Sequence, residues 1–273
     1  VTGDPVDPRR AAFGDAPEAD VRRAAARGLS RDRWLAAVTL GGQGRYAAAA
    51  AVLGGLVAGP DPVLASLACS TLAAHRRQLG GHAPARRWDA AALRHLAGLP
   101  SGSAAEADSD GVDIAGAWSD ALLGLAADAI GLGRLTEARR LHAAAVSRAE
   151  RSGPAVSWRS RVRAGWVAAE IELAAGHPER AMSPSVTAAE LAWAGSSIRH
   201  QVKSDIVVAA VRTAQTAQSA VESTGSVTDG GRPVGPDGCL DAAALLQRAL
   251  ETSLRRGIFS LAWPVAIIAS NLH

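Results

Sequence analysis

One phrase returns along this chain and constrains its fold more than any other feature: a glycine, then an alanine five residues later, set behind an apolar stretch. Gly44-Arg45-Tyr46-Ala47-Ala48-Ala49 follows Trp34 to Leu40, and Gly133-Arg134-Leu135-Thr136-Glu137-Ala138 follows Trp118 to Leu132. Gly176-His177-Pro178-Glu179-Arg180-Ala181 follows Val162 to Ala175, and a looser copy, Gly80 to Ala85, follows Leu67 to Leu79. Gly238-Cys239-Leu240-Asp241-Ala242-Ala243 has the phrase without an adjacent helical stretch before it. Glycine can take the left-handed conformation that stops a helix. The Pro, Thr, Asp or Glu behind it suits the first turn of the next helix. The alanine then falls where the second helix meets the first, and only a small side chain lets the two touch. Each copy therefore predicts an αα-hairpin.

Composition agrees with such a build. Apolar residues make up 48% of the 273, but aromatics only 4%, and alanine is very abundant. A core made of so little bulk per side chain has to be thin and helix-on-helix, and alanine has the best helix propensity. Charged residues are a fifth of the chain and its net charge is +3, without a concentrated basic stripe, so direct nucleic-acid binding is not expected. Lys203 is the only lysine among many arginines; with the alanine excess this points to a GC-rich bacterial coding sequence. The opening Val1-Thr2-Gly3 is what a GTG start codon read literally would yield, and the expectation is a natural full-length chain.

These phrases resemble the tetratricopeptide repeat, whose pattern places a turn glycine, an apolar residue two positions on and an alanine five positions on. The resemblance spans roughly residues 30–256. It is good in the third copy, where Leu122, Leu125 and Ala126 match helix-A packing positions and Ala138 and Ala145 the small helix-B positions. It is poor in the second, where Asp89 stands in place of a large apolar residue. The resemblance implies an all-α, right-handed superhelix of about five αα-hairpins plus a terminal helix, with a concave face that binds protein or peptide.

Spacing between copies is irregular, and two polar segments account for it: 100–113 and 223–237 are rich in Ser, Gly and Asp and are expected to be mobile insertions within a repeat domain over 19–273. Residues 1–18, with Pro5, Pro8, Pro17 and Gly14, are expected to form a flexible tail. The stretch 259–272 is apolar almost all round; it is either a docked cap or an open face for a partner or a second copy of the chain.

Signatures of catalysis are missing. No phosphate-binding loop, nucleophile elbow, zinc-protease helix or dinucleotide fingerprint occurs. The seven histidines form no ligand pair at helical spacing, and Cys69 and Cys239 are too far apart for a zinc site. No cofactor or metal is expected, and an enzyme on a helical scaffold is the least favoured reading. No apolar run is long enough to span a bilayer and no secretory leader is visible, so the expected location is the cytoplasm.

The favoured reading is a non-catalytic protein- or peptide-binding scaffold with a regulatory role. The alternative is a regulator that senses a small signal peptide. In the register implied by the resemblance, Trp166 lies on the inner surface, with Arg163 one turn before it. Arg199, Lys203 and Arg212 on the next long helix, at spacings of four and nine, are taken to share that groove as exposed cations. An aromatic beside cations can hold an acidic segment. Glu170 and Glu172, two apart, point to different faces; at least one is expected to pair with an arginine such as Arg163 or to sit in solvent.

Overall fold

The computed structural model describes residues 6–99, 107–151, 156–225 and 242–270, and among these every regular element is an α-helix. Two short helices, α1 (Pro8–Phe13) and α2 (Arg22–Arg27), lead into five successive pairs. These are α3 (Ser30–Gly42) with α4 (Tyr46–Val57), α5 (Pro62–Gln78) with α6 (His82–Leu96), and α7 (Ile114–Gly131) with α8 (Leu135–Arg151). They continue with α9 (Trp158–Ala174) and α10 (Pro178–Trp193), then α11 (Ile198–Gly225) and α12 (Ala242–Arg255). Helix α13 (Phe259–Ser270) closes the order. Among the described residues no helix is long and apolar enough to cross a membrane.

The repeated phrase does locally what its chemistry requires. Gly44, Gly80, Gly133 and Gly176 have φ of 77°, 77°, 71° and 79°. The amide after each reaches back five residues to a carbonyl of the helix just ended: Arg45 to Leu40 at 2.8 Å, Gly81 to Arg76 at 2.9 Å, Arg134 to Ala129 at 2.8 Å and His177 to Glu172 at 2.9 Å. That is the Schellman closure, which satisfies carbonyls left open at the helix end. The partner alanines, Ala49, Ala85, Ala138 and Ala181, are all fully buried. The fifth phrase departs from this: Gly238 lies outside the described residues, and Ala243 is exposed while Ala242 is buried.

Packing then carries the pairs into a closed ring. Helices α3, α5, α7, α9, α11 and α13 each touch the next, and α13 returns to α3. Helices α4, α6, α8, α10 and α12 each pack against the inner helices on either side of them. The face shared by the inner helices is thus encircled by the ring.

Closure depends on residues expected to be a tail. Residues 6–18 are packed: Ala11, Ala12 and Phe13 of α1 are buried in the core and α1 touches α3 and α11. Polar bonds tie the same segment down. The Ile198 amide donates to the Gly14 carbonyl at 3.2 Å, Gln43 Nε2 donates to the Pro17 and Ala19 carbonyls at 3.0 Å, and Arg256 pairs with Glu18 at 3.3 Å. The prolines here punctuate rather than free the chain; Pro8 opens α1 behind the Asp7 cap.

The insertion expected over 100–113 is also shorter than its polarity suggested. Residues 100–106 lie outside the described residues, but 107–113 are packed. Asp108 pairs with Arg31 at 2.6 Å, and fully buried Asp110 takes Arg9 at 2.5 Å and the Trp158 indole at 3.1 Å. Asp113 caps α7 through the Gly116 amide at 2.7 Å. The aspartates that read as loop composition are partners for distant cations. Of 223–237, residues 226–237 lie outside the described residues and 223–225 end α11. On α13, Leu261 and Val265 are buried, while Phe259, Trp263 and Ile267 are about half exposed. The helix therefore covers the end of the array and still shows an apolar stripe.

Asp89, which broke the repeat pattern, is fully buried with a reason. Arg77 Nη1 donates to Asp89 at 2.5 Å, to Asp128 at 3.0 Å and to the Gly124 carbonyl at 3.2 Å. One guanidinium thus joins α5, α6 and α7. Gly124 makes the room, since a methyl there would overlap the Asp89 carboxyl.

Candidate functional site

The encircled face holds a cavity of about 640 Å³ lined from all six inner helices and from Phe13 of α1. Its chemistry is built by helical spacing. On α9, Arg159, Arg163, Trp166 and Glu170 recur at four, three and four residues, which is one stripe of a helix. On α11, Arg199, His200 and Lys203 stand in the first two turns. Helix α5 contributes Ser70, His75 and Arg77, and α7 contributes Asp120.

Four of the five residues singled out from sequence meet here: Arg163, Trp166, Arg199 and Lys203. Arg212 is not among the lining residues. Nine residues beyond Lys203 is two and a half turns, so Arg212 projects to the opposite side of α11. Arg199 and Lys203 are also not the exposed cations expected; both are partly buried in the cavity wall. Glu170 pairs with Lys203 at 2.9 Å, and Glu172 pairs with Arg139 of α8. Arg163 instead faces Asp120.

An aromatic wall runs beside these charges. The Trp166 ring stacks on His200 at 5.4 Å with planes 19° apart, and its indole N–H donates to Ser204 Oγ at 2.9 Å. His200 also meets Trp158 at 4.7 Å and Phe13 at 6.0 Å, both edge-on. Lys203 lies 5.9 Å from the centre of the Trp166 ring. Trp193, grouped with these tryptophans in sequence, stands outside, half exposed, with its N–H on Asp205 at 3.0 Å.

Sequence reasoning missed Arg77, Arg159, Asp120, His75 and His200. Arg159 was legible, one turn before Arg163 on the same stripe. It is buried, donating to both Asp120 oxygens at 3.0 and 2.8 Å and to the Asp110 carbonyl at 2.7 Å. Arg77 and Asp120 left no local signal, because their partners come from other helices.

The titratable groups of the lining are set by burial. Burial, with Arg199 and Arg77 nearby, pushes His75 down to about 4. Burial, with Arg199, Arg159 and Arg163 around it, holds His200 well below the usual histidine range. Both are neutral at pH 7. The Ser197 hydroxyl lies 2.8 Å from His200 Nδ1, but Ser197 is not in the cavity lining and no carboxylate among the described residues is bonded to the ring. The pair stands at the buried start of α11. Cys69 is buried and burial pushes its thiol up to about 11. Among the described residues no group of three His, Cys, Asp or Glu could hold a metal ion.

Neutral buried histidines make stability fall in acid. Their folded pKa lies below the unfolded value near 6.5, so their contribution is complete above that pH and is lost as pH falls toward about 4 for His75. Asp89 runs the other way: burial pushes it up to about 7, so its contribution is lost as pH rises through that value. A difference measurement separates the two. Between pH 7 and 4.5 the wild type should lose roughly 1–3 kcal/mol more than His75→Gln, read by urea unfolding at each pH. Parallel pH profiles would show that His75 is protonated in the fold.

No family model, curated protein or solved structure matches this chain.

Proposed function

We propose that this chain is a non-catalytic binding protein, a divergent helical repeat of the tetratricopeptide kind, that takes a short acidic peptide into its central cavity and acts as a regulator. One observation carries the reading: the encircled face holds a cavity of about 640 Å³ in which Trp166 lies among Arg163, Arg199 and Lys203. That volume is in the range of small-ligand sites, roughly 300–1,000 Å³. It favours a short signal peptide, sensed from within the ring, over an extended protein segment held on an open scaffold. Regulation would follow if the occupant bridges inner helices and so shifts the closure between α13 and α3.

Short labelled peptides rich in Asp and Glu, with Lys-rich counterparts, test this by fluorescence anisotropy. The acidic set should bind and the basic set should not, with affinity weakening as salt rises. Trp166→Ala should weaken binding by on the order of 2 kcal/mol, about thirtyfold, as buried aromatic anchors do. Circular dichroism of the same variant controls for folding. Equal binding of both peptide sets, or an affinity unmoved by Trp166→Ala, would remove the cavity as the site.

A further inference from the structure

We propose that the cavity contains an anion subsite centred on Arg199, which takes the carboxylate or phosphate group of the bound ligand. The inference rests on the reading above and names the group that anchors the occupant.

Every other cation in the lining has a carboxylate. Arg77 faces Asp89 and Asp128, Arg159 and Arg163 share Asp120, and Lys203 faces Glu170. Arg199 has neither an ion pair nor a hydrogen bond to any of the described residues, although its side chain lines the cavity. Among the described residues, the charges that bear on it include no carboxylate. Its stem lies near Gly42, where a Cβ would sit 3.9 Å from its Cδ and Nε. The groups that bear on it electrostatically are the Tyr46 hydroxyl and the guanidinium groups of Arg163 and Arg159. The first turn of α11 contains no acidic residue either, at the end of a helix that favours negative charge.

The count of charges is specific. Arg159, Arg163 and Arg199 are close enough to repel one another, and Asp120 is the one carboxylate paired with this group among the described residues. Arg163 also feels Asp89 and Arg77, whose cluster with Asp128 holds two carboxylates to one cation, so the charge left over is one, and it falls on Arg199. Burial pushes Arg199 down to about 10, the response of a cation held without its counter-ion. An anionic group placed against Arg199 would supply the missing counter-charge, and a guanidinium presents a planar fork suited to two oxygens. The aromatic wall of Phe13, Trp34 and Trp166 faces an apolar or planar body.

The test titrates the full chain with inorganic phosphate and, separately, with succinate, at ionic strength matched by potassium chloride. Tryptophan fluorescence and the thermal midpoint are followed together. At least one ion should raise the midpoint saturably; phosphate alone identifies a phosphate-binding subsite, and succinate alone a carboxylate-binding one. Arg199→Gln should weaken that response about tenfold or more, because a charge-assisted bond is lost, and Arg199→Lys should keep part of it. Arg199→Gln removes a buried charge that has no partner, so its midpoint without ligand should equal or exceed the wild type's. Arg212→Gln, on the same helix away from the cavity, should respond as wild type. The proposal falls if neither ion acts beyond chloride, or if Arg199→Gln responds like wild type. An acidic peptide that binds wild type and Arg199→Gln equally would remove the subsite and leave the peptide reading standing. Absence of any peptide binding with a retained, Arg199-dependent ion response would remove the peptide and keep the subsite.

Discussion

Replacing Arg77 with Met should destabilise the protein by about 3–5 kcal/mol, the usual cost of removing one partner from a buried ionic network. Asp89 and Asp128 are both fully buried, and Arg77 is the cation that each of them pairs with in this network. One oxygen of each, Asp89 Oδ1 and Asp128 Oδ2, already lacks a partner. Without the guanidinium two carboxylates would face each other across the α6–α7 contact with no hydrogen-bonded cation, only the more distant charges of Arg163 and Arg86. Such a loss is a large share of a typical folding free energy and would lower the thermal midpoint by roughly 10 °C. The deficit should shrink as pH falls, because burial has already raised both carboxyls and protonation makes them neutral. Adding Asp89→Asn and Asp128→Asn to Arg77→Met should recover much of the stability by removing the buried charge. Urea unfolding of the three proteins at pH 5 and pH 8 decides it. A loss below about 1 kcal/mol for Arg77→Met would place the network outside the folding core.

The second large effect is at the repeated alanine. Ala138→Arg should cost on the order of 4–5 kcal/mol or prevent folding, whereas Arg134→Ala should stay within about 0.5 kcal/mol of wild type. Ala138 is fully buried in the core that α7 and α8 share with α9, packed with Leu122, Leu123, Ala126 and Val167. A long cation there both overpacks the crossing and loses its hydration. Arg134, four residues earlier in the turn, is exposed and approaches Glu137 only at 3.8 Å. Thermal melts of the two variants give the comparison, and equal midpoints would mean that α7 and α8 do not cross at this alanine.

Those two predictions draw on different kinds of information. Ala138 could be found by reading: Gly133 ends a helix, and the alanine five residues on must meet it, as Ala49, Ala85 and Ala181 do after their own glycines. Turn geometry and helix spacing act within about ten residues, so the five pairs and the terminal helix were legible, as was Trp166 with Arg163 on one stripe of α9. Asp89 could not be read the same way. A lone aspartate in an apolar register looks like a defect until Arg77, Asp128 and Gly124 are brought to it from two other helices.

The same division runs through the rest of the molecule. Local pattern determined that the chain is helical, where its helices stop, and which small residues let them touch. Tertiary structure alone decided that the array closes on itself, because closure depends on α1 and α13 meeting α3 and α11 across almost the whole length of the chain. It also decided which charges are spent. Lys203, Arg163 and Arg199 are equivalent cations in the sequence, but two of them find carboxylates on other helices and Arg199 does not. Electrostatic partners are chosen by distance in space, which falls off over a few ångströms and is set by packing, and no periodicity along the chain encodes it.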